Sequence, residues 1–198
     1  MKSTNLLLGL APWILFTVIA GRVGTGAVGY AALVACLGSL VLAIRGARET
    51  GVNIIDAAGV VTFGLLTVVG LVATPHVQRL IVDYGRGGAA LVLATVMLVS
   101  AVTVPFTEQL ARPQVDRRYW GSPVFRAVNR RISLLWAALI YAMAICHITS
   151  GYLSDHGENP RNLLLNWAAP VLVVLIGLKQ TGRIAEARRI TPVQGGAA

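Results

Sequence analysis

Few side chains in this sequence have a type and position that could support chemistry, and Asp56 is the first of them. It falls about one turn into an apolar run, and a carboxylate inside a membrane is a candidate for proton- or cation-coupled transport. At that shallow depth it could instead be a carboxylate stabilised by the positive end of a helix dipole, an interpretation we favour. Groups that could line a transport path with it are Thr62, Thr67 and Ser100.

His76 and His147 form a second candidate pair. Both are predicted near the same end of their helices, and two imidazoles on facing helices could hold a haem iron through its axial positions. A buried histidine bonded to a neighbouring polar group is the simpler interpretation, so no cofactor is predicted. Cys36 and Cys146 each lie in an apolar run and have neither disulfide nor zinc spacing, so no metal site is expected.

Catalytic motifs are absent from the sequence. It contains no nucleophile elbow, phosphate loop, dinucleotide fingerprint or zinc-protease pattern. We therefore name no catalytic residue and do not expect an enzyme.

A third group of interest is the long polar segment 107–131. Its arginine and tryptophan side chains are Arg112, Arg117, Arg118, Trp120, Arg126, Arg130 and Arg131. Arginine and aromatic residues suit the headgroup layer, so they predict contact with anionic lipid or with a cytoplasmic partner. The alternative is an ordinary positive-inside anchor. Ser122 before Pro123 predicts a helix that starts outside the membrane, and Glu108 should form a weak local pair with Arg112.

The elements that must position these residues are apolar helices. Hydrophobic residues make up 56% of the 198 residues and charged residues 13%, a balance typical of a membrane protein. Six apolar runs are predicted as spans, at about 5–21, 26–44, 54–74, 87–106, 132–153 and 163–178. Each approaches the roughly 20 residues needed to cross a bilayer. The sequence thus predicts an all-α, polytopic transmembrane bundle forming one domain over residues 1–198.

The basic residues predict the orientation of the bundle. Six spans put thirteen of the 17 Lys and Arg residues on the side that holds both termini, and four on the other. The positive-inside rule makes the first side cytoplasmic, and we expect a multi-pass protein of the bacterial inner membrane. The net charge of +9 lies between the apolar runs without a stacking platform, so no nucleic-acid partner is expected. The first run also resembles a secretory signal ending at Ala20, but Arg22 follows at once and argues against cleavage.

Small residues at four-residue spacing predict close helix packing. One stripe comprises Ala27, Ala31, Ala35, Ser39 and Ala43, and the other Ala138, Ala142, Cys146 and Ser150. Such stripes also permit contacts with a second copy or with other membrane proteins. Pro12, Pro105 and Pro170 should kink or end their helices.

Two stretches carry a resemblance to a known family. Leu10-Ala11-Pro12 in the first span, and Phe125-Arg126-Ala127-Val128-Asn129 followed by Trp136, resemble the intracellular septation protein A family. These are small bacterial inner-membrane proteins linked to envelope synthesis and division. The resemblance covers topology more than sequence, and here the spacing from Asn129 to Trp136 is longer. It implies a scaffold or interaction role and no catalytic residue.

Three functional classes remain open from the sequence. The leading one is a structural or interaction protein of the inner membrane, related to the envelope or to septation. The second is a small proton- or cation-coupled transporter or channel that uses Asp56. The third is a haem- or quinone-binding redox subunit.

Overall fold

A computed structural model describes residues 3–49, 51–156 and 164–187, and in these ranges the chain is helices and short connections. The helices are α1 (Ser3–Ala20), α2 (Val28–Glu49), α3 (Ile54–Val72), α4 (Pro75–Val102), α5 (Phe106–Ala111), α6 (Pro123–Asp155) and α7 (Ala169–Ala187). Five helical segments in the described ranges are long and apolar enough to cross a membrane, and the apolar part of α1, Leu6–Ala20, is shorter. The predicted all-α bundle is confirmed, and its helices are those of a multi-pass membrane protein.

Each predicted span corresponds to a helix, but several helices are longer than their spans: α2 ends at Glu49, α6 begins at Pro123, α7 ends at Ala187, and the largest difference is in α4. The predicted start of that span is residue 87, whereas the helix begins at Pro75. Polar residues such as Arg79 and Asp83 led to the prediction that residues 75–86 connect two spans. Pro75 at the first helical position favours a helix start there. The predicted early start of α6 is confirmed, because the Ser122 hydroxyl accepts a hydrogen bond from the Phe125 N–H at 3.1 Å. Leu163, the first residue of the last predicted span, lies outside the described residues.

The first small-residue stripe lies in the packing between α2 and α3. Ala31, Ala35 and Ser39 are buried, and the two ends of the stripe are half-buried. At the far end of this contact a Cβ on Gly70 would lie 2.7 Å from the Gly29 Cα, so only glycine lets the two backbones approach this closely. Close approach is what holds helices together where lipid offers no hydrophobic driving force.

The second stripe is not a packing seam over most of its length. Ala138 and Ala142 are exposed, and the buried face of α6 is carried instead by Ala137, Ile140 and Ala144. The stripe of small residues was predicted to be the buried face of α6, but the face that is buried also carries large side chains such as Ile140. Residue size alone therefore did not identify it. The close contact between α4 and α6 depends on glycine instead. A Cβ on Gly87 would lie 2.5 Å from the Ile148 side chain.

Helix α1 is part of the core rather than an appendage. Leu6, Leu10, Trp13 and Phe16 are buried against the other helices, and the helix continues through Pro12. Removal of this segment would expose that apolar core. The other two prolines, predicted to kink or end their helices, lie at helix starts instead. Pro105 comes between α4 and α5, and Pro170 is the second residue of α7, after a π-helical turn at Leu164–Ala168.

Candidate functional sites

Helix α5 is fastened to its neighbours by buried polar side chains. The Thr107 hydroxyl donates to the Asn129 carbonyl at 2.8 Å and lies 2.9 Å from the Ser133 hydroxyl, both on α6. The Ser100 hydroxyl near the end of α4 accepts from the Phe106 N–H at 3.3 Å. These bonds fix the start of the polar segment at the surface of the bundle.

Glu108 and Gln109, the two residues after Thr107, also attach this segment to the helix bundle. The Gln109 side-chain oxygen accepts from the Ile54 N–H at 2.9 Å and so satisfies one of the unpaired donors at the start of α3. Glu108 is 1% exposed, and its carboxylate lies 3.0 Å from Arg112 Nη2 and 3.9 Å from Arg126 Nε. The predicted pair of Glu108 with Arg112 is therefore present, but it is buried on the acidic side, unlike the weak surface pair we expected.

The arginines of the polar segment fall into two groups. Arg112 and Arg126 both pair with the buried Glu108, but Arg112 is half-buried whereas Arg126 is exposed. The exposed arginines that do not pair with Glu108 are Arg117, Arg118, Arg130 and Arg131.

Aromatic rings order part of the exposed group. Arg112 and Arg117 both lie over the Trp120 ring, at 5.3 and 5.5 Å from its centroid. The Trp120 ring is itself held by a bond from Nε1 to the Val115 carbonyl at 2.9 Å. Arg118 lies 4.8 Å from the Tyr119 ring centroid and 3.4 Å from the Asp116 carboxylate. The segment thus presents oriented guanidinium groups.

Asp56 lies in the first turn of α3 and is 3% exposed. One of its carboxylate oxygens accepts from the Asn53 side-chain amide at 3.0 Å, and the other has no hydrogen-bond partner in the described part of the chain. One turn further on, the Ser39 hydroxyl and the Trp13 indole nitrogen lie against Gly59 and are likewise unpartnered there. Three helices therefore direct buried polar atoms toward one side of α3.

The other groups proposed to line a transport path do not extend this cluster. The Thr67 hydroxyl donates to the Phe63 carbonyl at 2.7 Å, and the Ser100 hydroxyl donates to the Met97 carbonyl at 2.7 Å. Both bonds are local to one helix, and Thr62 is only half-buried.

The two histidines are not brought together. His76 is exposed in the first turn of α4, whereas His147 is 1% exposed. His147 lies beside the turn of α4 that holds Arg86 and Gly87, since a Cβ on Gly87 would lie 2.5 Å from the side chain of Ile148. Arg86 is ten residues beyond His76, roughly 15 Å along the helix. This separation does not suit two axial ligands of one haem iron.

His147 instead belongs to a polar cluster that the sequence did not predict. Its Nδ1 lies 3.0 Å from the Asn166 side-chain oxygen, and the Asn166 amide donates to the Ser150 hydroxyl at 2.6 Å. Arg86, 9% exposed, completes what we call the His147 cluster. His147 and Ser150, three residues apart on one helix face, were the available signal in the sequence. Asn166 belongs to the π-helical turn and lies 19 residues after His147 in the chain.

An apolar groove of about 250 Å³ leads to this cluster. Its lining comes from α1, α4, α6 and α7, and from Asn166 and Trp167 of the π-helical turn at one end. Ala90, Leu93 and Met143 are among the lining residues. Outside the groove, Arg22 lies over the Trp167 ring at 5.5 Å from its centroid.

Comparisons of this chain with known protein families, curated proteins and solved structures find no match. Function therefore has to be inferred from the residues and contacts of the chain itself.

Proposed function

We propose that this chain is a non-catalytic, multi-pass protein of the bacterial inner membrane that acts through interactions at its cytoplasmic end. The observation that carries the proposal is the buried attachment of the polar segment through Thr107, Glu108 and Gln109. A segment that served only as a charged anchor would not need to be fastened to α3, α4 and α6. The resemblance of the Phe125–Asn129 stretch to the septation protein A family suggests partners in envelope synthesis or division.

Anionic lipid is the first partner that this surface fits. Each arginine near the membrane surface contributes on the order of 1 kcal/mol of attraction to anionic headgroups. Arg117 and Arg118 are oriented by Trp120 and Tyr119, so less side-chain entropy is lost when they bind. The exposed Ala138 and Ala142 on α6 offer a surface on which a second copy or another membrane helix could pack.

The test compares two pairs of arginines at the same end of the bundle. Replacing Arg117 and Arg118 with Gln should weaken binding to anionic vesicles by up to about 30-fold, the equivalent of two contacts of roughly 1 kcal/mol each. Replacing Arg45 and Arg48 with Gln removes the same charge from exposed positions near the end of α2. Vesicle co-sedimentation at two salt concentrations measures both, because screening weakens solvated charges.

Orientation must be measured in the same variants, since arginines also set topology. Equal losses from both pairs would show that only the total charge matters. Unchanged lipid binding with mixed orientation would show that Arg117 and Arg118 serve topology alone.

A second candidate function is favoured by one observation. An unpartnered Asp56 oxygen lies one helical turn from Gly59, where the unpartnered Ser39 hydroxyl meets α3. Such an arrangement suits a proton- or cation-coupled transporter. Proton or cation flux into liposomes should then fall with Asp56→Asn and persist with Asp116→Asn, a carboxylate exposed on the polar segment. The absence of any flux from the unaltered protein would exclude this function.

A further inference from the structure

The groove between α1 and α7 has the length and the lining to hold a hydrocarbon chain. On α1 it is lined from Leu10 to Val18, a rise of about 12 Å. Its walls are almost wholly apolar. The length is close to half of the roughly 30 Å hydrocarbon core, so the groove serves one leaflet.

Positive charge lies at the Trp167 end of the groove. The Arg22 guanidinium stacks on Trp167, which lines that end. The Arg86 guanidinium lies beside Gly21, the residue before Arg22, since a Cβ on Gly21 would lie 2.9 Å from Arg86 Nη1. Arg86 is buried, and its Nε has no hydrogen-bond partner within the described ranges. An apolar channel that ends at two guanidinium groups complements an amphiphile with an anionic head.

We propose that the groove binds one acyl chain of a phospholipid and that Arg22 contacts its phosphate. The site is separate from the cytoplasmic arginines. His147 lies eighteen residues beyond Asn129 on α6, roughly 27 Å along the helix. The lipid comes from the leaflet opposite the polar segment and enters between α1 and α7, where Val171 and Leu175 are exposed.

The first experiment uses a phospholipid with a photoreactive diazirine in its acyl chain, added to the full-length protein in bilayer nanodiscs. In the unaltered protein, labelled peptides should contain groove residues such as Ile14 and Val171. Val171→Trp should reduce this labelling by roughly tenfold or more, because the indole occupies space for several methylene groups. Leu172→Trp is the matched control, since Leu172 is as exposed as Val171 (58% and 56%) but does not line the groove.

The second experiment tests the phosphate contact. Arg22→Gln should reduce labelling by the phospholipid more than Arg79→Gln does. Arg79 is the control because it is an exposed arginine near the start of α4 that does not line the groove. A diacylglycerol carrying the same diazirine chain but no phosphate should label weakly and should be indifferent to Arg22→Gln. Melting temperatures in detergent confirm that each variant is folded.

Three results would overturn the proposal. Equal labelling of Val171→Trp and Leu172→Trp would show that the groove is not the binding site. Label spread over all lipid-facing helices of the unaltered protein would indicate ordinary annular lipid. Equal labelling by the phospholipid and the diacylglycerol would remove the phosphate contact with Arg22.

Discussion

Removing Arg112 should destabilise the protein more than removing its partner Glu108, although both changes break the same ion pair. The reason is an asymmetry in burial. The Glu108 side chain is 1% exposed, whereas those of Arg112 and Arg126 are 29% and 63% exposed. After either substitution the remaining residue keeps its charge in its own environment. That environment is buried for Glu108 and partly open to solvent for Arg112 and Arg126.

The expected magnitudes follow from that asymmetry. Arg112→Gln leaves a buried carboxylate with only Arg126, 3.9 Å away, and loss of one partner of a buried pair costs about 3–5 kcal/mol. We expect the lower end, about 3 kcal/mol, because Arg126 still offers partial compensation. Glu108→Gln leaves two arginines that can turn toward water and a neutral amide in the buried position. Its cost is the difference between a charge-assisted and a neutral hydrogen bond, about 1–2 kcal/mol.

The double variant provides the decisive comparison. Once the carboxylate is gone, loss of Arg112 leaves no uncompensated charge, so the double variant should be more stable than Arg112→Gln alone. Unfolding in mixed detergent and SDS micelles gives the free energies, with Arg117→Gln as a control for an arginine that is not paired with Glu108. If Arg112→Gln is no worse than Glu108→Gln, or if the two losses simply add, the reasoning from burial is wrong.

Three further predictions concern packing and orientation. Gly70→Ala should destabilise the fold by about 1–3 kcal/mol, because the added Cβ would collide with the facing backbone of α2. The control is Gly24→Ala, which should leave the melting temperature unchanged because a Cβ there has no atom within 4 Å. Ala35→Leu, at a fully buried position in the same helix pair, should lower the melting temperature or prevent assembly, and an unchanged value would place that stripe against lipid. A cysteine at Gln114 should react with impermeant reagents only from the cytoplasm and one at Asp155 only from outside, and the reverse pattern would refute the orientation.

The fold class could be predicted because a bilayer leaves few choices. Every backbone group inside it must be satisfied within its own segment, so long apolar runs become helices. The boundaries of α3 and the cap of α6 at Ser122 followed from local signals. The start of α4 at Pro75 was missed because polar residues in its first turns hid the helix from an analysis based on apolar runs, although Pro75 itself favours a helix start.

The sites were harder to predict because their contacts are distant in sequence. Thr107 meets Ser133 across 26 residues, and Gln109 meets Ile54 across 55. Sequence periodicity reports which residues share one helix face, but not which helix that face meets. For the same reason the sequence did not show that Arg126 pairs with Glu108 across 18 residues, or that Asn166 contacts His147.

The two proposed lipid contacts bear on one feature of the bundle, the shortness of α1. Its apolar part, Leu6–Ala20, spans about 22 Å at 1.5 Å per residue, well below the roughly 30 Å of a typical hydrocarbon core. A short span is accommodated when the bilayer thins around it, at a modest cost for each ångström of mismatch. The groove uses α1 as a wall, and the Gly9 end of α1 lies against Leu110 of α5. Lipids bound at Arg22 and at Arg117 and Arg118 would therefore fix the level of the headgroups at the two ends of α1, the helix that requires the thinnest membrane.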